Sequence, residues 1–85
     1  MDSNDNHDKP IFSVYYSNYD LDCGWSQTKA EHLTYQQALD VIEQDKNNED
    51  SYWFDAAYEP SGGIAVIYNE EEGKDELYID IPSIV

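Results

Sequence analysis

Along residues 62–82, apolar and polar positions alternate with a period of two. Ile64, Val66 and Tyr68 interleave with Ala65 and Ile67, and further on Leu77, Ile79 and Ile81 interleave with Tyr78 and Asp80. That period belongs to strands that bury one face. Between the two runs stands Asn69-Glu70-Glu71-Glu72-Gly73-Lys74-Asp75-Glu76. Its glycine suits the positive φ that a tight turn often requires. The pattern predicts a β-hairpin tipped with carboxylates.

Residues 11–16, IFSVYY, predict a strand by their β-branched and aromatic content. Alternation puts Phe12, Val14 and Tyr16 on the core side and Ile11, Ser13 and Tyr15 on the other. Turn-forming residues follow at 17–20 and 22–24, and residues 25–29 are expected to pair back as a second short strand. Thr34 then begins a helix, because Gln37 stands three residues on in a capping-box arrangement. Tyr35, Ala38, Leu39 and Ile42 form an apolar stripe that Val41 broadens, while Gln36, Asp40, Glu43 and Gln44 suit a wet face. Lys46 complements the helix dipole and Asn47-Asn48 ends the helix. Residues 51–58, SYWFDAAY, read as another strand, and residues 59–63 as a turn into the hairpin.

Residues 1–9 are polar, acidic and aperiodic, which predicts a flexible arm in which His7 is a solvated side chain. The rest, residues 10–85, is expected to be one α+β domain with the order β-β-α-β-β-β. Its architecture would be two layers, an antiparallel sheet of about five strands with one helix packed on it, because neither layer can bury its apolar side alone.

Charge changes the picture more than any other total. Nineteen Asp and Glu face four Lys and no Arg, giving a formal net charge of −15 over 85 residues. A domain of this size needs only about 2–8 net charges for solubility. The excess excludes ordinary nucleic-acid binding, which neutralises phosphates with Lys and Arg, and direct attachment to an anionic membrane. It points to a basic protein as the partner, met by the chain as a monomer or homodimer. One cysteine, Cys23, cannot form an internal disulfide, and no apolar run is long enough to span a bilayer, so a cytoplasmic setting is expected.

Candidate chemistry is sparse. Cys23, His7 and His32 lack the close spacing of zinc ligands. Asn18, Asp20 and Asp22 mimic the start of a calcium loop, but Gly24 falls one position late and Lys29 occupies the place of the bidentate glutamate. Cys23 and His32 form no local nucleophile motif, and Gly62-Gly63 lacks a phosphate-cradling pattern. The aromatic residues cannot serve as a base-stacking platform without a basic groove. No enzyme activity and no cofactor are expected, since so small a domain offers little room for a deep cleft.

Two stretches carry a resemblance. Ile11-Phe12-Ser13-Val14-Tyr15-Tyr16-Ser17-Asn18-Tyr19 through Gly24-Trp25, the helix, and Trp53-Phe54-Asp55-Ala56-Ala57-Tyr58-Glu59 loosely resemble the N-terminal module of the Ard anti-restriction proteins, over residues 11–63. The segment from the helix through Ile64-Ala65-Val66-Ile67-Tyr68 is similar to the core of some toxin-immunity proteins. The first likeness implies a DNA mimic that blocks a defence nuclease or CRISPR effector. The second implies neutralisation of a basic nuclease or deaminase toxin. Carboxylates of Asp40, Glu43, Asp45, Glu49, Asp50, Asp55 and Glu59 would add rows of negative charge. The expected partner-binding residues are Glu70, Glu71, Glu72, Asp75 and Glu76 at the hairpin tip, with Asp20 and Asp22 as a second cluster.

Overall fold

The computed structural model describes residues 7–19 and 24–85. Among them are β1 (Phe12–Asn18), β2 (Ser26–Leu33), α1 (Tyr35–Lys46), α2 (Tyr52–Ala57), β3 (Gly63–Asn69) and β4 (Lys74–Ile81). The class is α+β, with both helices lying on one face of a four-stranded sheet in the order β2-β1-β3-β4. Every neighbouring pair is antiparallel. Two hairpins thus meet along β1 and β3, and the helices form the connection between them.

The capping box forms as expected. Thr34 Oγ1 accepts from the Gln37 amide at 3.2 Å, and Gln37 Oε1 accepts from the Thr34 amide at 3.0 Å. The helix then runs to Lys46 and closes at Asn47. Its buried Ala38 and Ile42 meet Phe12, Val14 and Tyr16 of β1, which are wholly enclosed. Ala65 and Ile67 of β3 and Ile81 of β4 complete this floor, with Leu77 and Ile79 at its margin.

Residues 51–58 correct the expected strand: they form α2, so the observed order is β-β-α-α-β-β, with four strands and two helices among the described residues. The buried members are Trp53, Ala56 and Ala57, spaced i, i+3 and i+4. That is a helical stripe, and adjacent apolar alanines do not fit a strand with one wet face. Ala56 also packs so closely on β3 that a Cβ at Gly63 would lie 2.6 Å from the Ala56 Cβ and 2.4 Å from the Ser17 carbonyl oxygen. Only glycine permits that approach.

The second strand is longer than expected, reaching Leu33, and its register against β1 shifts twice. His7 is also corrected. Its ring stacks on Tyr35 at 4.2 Å and meets Phe12 edge-on at 5.7 Å, so the side chain packs against the domain. No helix is long and apolar enough to cross a membrane among the described residues.

Candidate functional site

The hairpin tip is built on one buried side chain. Asn69 is 1% exposed, and its Oδ1 accepts from the amides of Glu71 at 3.0 Å and Glu72 at 2.9 Å. The Gly73 amide returns to the Asn69 carbonyl at 2.8 Å, with Gly73 at φ 69°. A left-handed glycine and an Asx turn close the loop together. Asn69 Nδ2 donates to Glu76 Oε1 at 3.1 Å, which ties the outgoing strand to the same anchor.

This anchor divides the five expected tip carboxylates among three surroundings. Glu71, Glu72 and Glu76 are exposed at the end of the hairpin. Glu72 pairs with Lys74 at 3.1 Å, and that hydrogen-bonded contact raises the lysine pKa. Glu70 turns back along the sheet instead. Its Oε2 accepts from the His32 amide and its Oε1 meets His32 Nδ1, both at 2.9 Å. His32 sits at φ 59°, a left-handed conformation in a non-glycine residue, and Glu70 holds it there.

Asp75 belongs to the sheet face opposite the helices. Both its oxygens lie 3.1 Å from the Tyr15 hydroxyl, and Oδ2 also accepts from Tyr78 at 2.9 Å. Burial and then the adjacent Asp75 charge push Tyr15 up to about 12, and the bond to Asp75 raises Tyr78. On the same face Tyr19 donates to Asp80 Oδ1 at 2.7 Å, which raises its pKa as well. Neutral phenols therefore donate to charged acceptors across a face that no helix covers. Val66, in register between Tyr15 and Tyr78, is only 1% exposed although it stands outside the main core. A hollow of about 460 Å³ opens on this face, lined in part by Tyr15, Thr28, Tyr68, Glu70 and Asp75.

A bulge puts Asp75 on this face. The β3–β4 register slips between Ile67 and Tyr68, so Tyr68 faces Asp75 and Glu76 is displaced. A slip of one residue exchanges the two faces.

Asp45 does not join an outer row of carboxylates as expected, because it is 3% exposed. Its Oδ2 accepts from the Tyr16 hydroxyl at 2.7 Å, and Lys29 Nζ stands 3.5 Å from Oδ1. Asp20 and Asp22, the second expected cluster, lie outside the described residues, as does Cys23.

Further exposed carboxylates include Asp40 and Glu43 on α1, Glu49 and Asp50 between the helices, Asp55 on α2, Glu31 on β2 and Asp80 on β4. The four lysines, all among the described residues, offset few of them: Lys29, Lys46 and Lys74 are engaged by Asp45, Glu43 and Glu72 respectively, and Lys9 stands before β1. No group of three His, Cys, Asp or Glu is placed to hold a metal ion among the described residues. What the arrangement can do chemically is attract and pair with cationic groups over several ordered patches. Compared with protein families, curated proteins and solved structures, the chain matches none.

Proposed function

We propose that this protein is a small acidic inhibitor that occupies the nucleic-acid-binding surface of a basic protein, of the defence-nuclease or CRISPR-effector kind. One observation carries the reading: exposed carboxylates on α1, α2, the interhelical loop and the hairpin tip are held on ordered elements with few lysines to neutralise them. A net charge of −15 on 85 residues opposes compaction, and it is of use where a cationic surface is waiting. A Lys- and Arg-lined channel built for phosphates offers that complement, and steering by opposite charge speeds the encounter. Tyrosines on the uncovered sheet face supply broad contact area that charge alone lacks.

The test is displacement of a labelled DNA duplex from purified restriction nucleases and CRISPR effectors. Stoichiometric release of DNA from one of them, diminishing as salt rises, supports the reading. DNA retained by all of them at low salt contradicts it.

A further inference from the structure

A second groove lies beside α2, on the helix-bearing side of the sheet. It encloses roughly 410 Å³ and is lined by Trp25, Gln27, Tyr52, Asp55, Tyr58 and Glu59. Helix α2 supplies Tyr52 and Asp55, three residues apart, and the turn that follows it supplies Tyr58 and Glu59, while Trp53, Ala56 and Ala57 of the same helix are buried in the core. Trp25 precedes β2, and its ring lies 6.4 Å from that of Tyr52 at an interplanar angle of 44°. Tyr58 is 51% exposed.

We infer that this groove receives an arginine side chain of a cationic partner protein, between the aromatic rings and the two carboxylates. The inference rests on the proposed function and names one contact by which the partner is held. Aromatic faces attract a cation through the ring quadrupole, most strongly for tryptophan. A planar guanidinium can stack on a ring while forking onto a carboxylate, which a lysine ammonium does less well. Among the described residues, the Asp55 and Glu59 side chains make no hydrogen bond or ion pair. The nearby lysines are committed elsewhere: Lys29 to Asp45, and Lys46 to Glu43 and the Trp53 ring, 5.7 Å away. The groove therefore presents aromatic surface and unneutralised charge together, complementary to arginine. A second copy of this chain is disfavoured by the charge of −15 on each.

The probe is a hexa-arginine peptide, titrated into the full chain and followed through the two tryptophan indole N–H signals. A Trp25→Phe variant assigns them, and the Trp53 signal reports that each variant is folded. The expected result is a saturable shift of Trp25 with Trp53 stationary. Asp55→Asn with Glu59→Gln weakens the peptide about fivefold to tenfold, and Tyr58→Ala about threefold. Glu71→Gln with Glu72→Gln, at the far hairpin tip, leaves the Trp25 shift in place. Peptide binding with Trp25 unmoved, or with the groove variants no weaker than the tip variant, overturns the groove while the acidic-inhibitor reading stands. No peptide binding in dilute buffer overturns both.

Discussion

The hydroxyl of Tyr16, in β1, donates to Asp45 Oδ2 at 2.7 Å, joining the sheet to the last turn of α1. Neither residue reaches solvent appreciably, and the Ser51 hydroxyl donates to the Asp45 carbonyl at 2.7 Å, so the start of α2 hangs on the same residue. Without the Tyr16 hydroxyl, buried Asp45 Oδ2 loses its donor and keeps only the Lys29 ammonium, 3.5 Å from Oδ1, so part of the carboxylate's desolvation penalty is exposed. Tyr16→Phe is therefore expected to cost about 1–3 kcal/mol in urea unfolding. Asp45→Asn, which keeps an acceptor, should cost less.

Burial, followed by the bond to Asp45, raises the Tyr16 pKa far above the 10.0 of an ordinary tyrosine. The folded state thus keeps a proton that the unfolded chain releases. Stability from this group is complete below pH 10 and declines as pH rises above it, by about 1.4 kcal/mol per pH unit. Unfolding free energies measured up the alkaline range should show that decline, and Tyr16→Phe should flatten it.

Asp75 gathers Tyr15 and Tyr78 on the uncovered face, and its removal should be visible in their titration. In Asp75→Ala, Tyr15 is expected to fall from about 12 yet stay above the ordinary value, because burial is the larger cause of its shift. Tyr78, raised first by its bond to Asp75, should return nearly to the ordinary range. Phenolate absorbance during an alkaline titration reads both changes.

The helix cap and two glycines are open to test by thermal or urea unfolding. Thr34→Ala removes the side-chain acceptor from the α1 capping box and should cost about 1 kcal/mol. Gly63→Ala forces a methyl group against the Ser17 carbonyl and Ala56, and should cost about 1–3 kcal/mol. Gly73→Ala meets only the Tyr68 hydroxyl at 3.6 Å and pays chiefly for its positive φ, so it should cost less than Gly63→Ala.

What the chain disclosed in advance follows how local each cause is. The Thr34–Gln37 cap, the alternation of residues 64–68 and 77–81, and the left-handed Gly73 are written within a few residues, and each reappears in the structure. In residues 51–58 aromatic content outweighed the 53, 56, 57 spacing, which was present and signals α2. The burial of Asp45 was not legible, because it depends on where α1 lands on β1. The fate of Asp75 depends on a bulge near Tyr68, and no alternation rule anticipates an inserted residue. The expected tip cluster accordingly reads as one patch in sequence and becomes three in space.

The most direct measurement is the dissociation constant for a DNA-displaced nuclease or effector as salt rises, in the native chain and in Glu71→Gln/Glu72→Gln/Glu76→Gln. All three side chains are exposed, and a glutamine at 76 keeps an oxygen to accept from Asn69 Nδ2, so the fold should be retained. The variant is expected to bind more weakly at low salt and to show a shallower salt dependence, the two proteins converging as salt screens the charges. Equal affinity and equal salt dependence in both proteins would contradict the account.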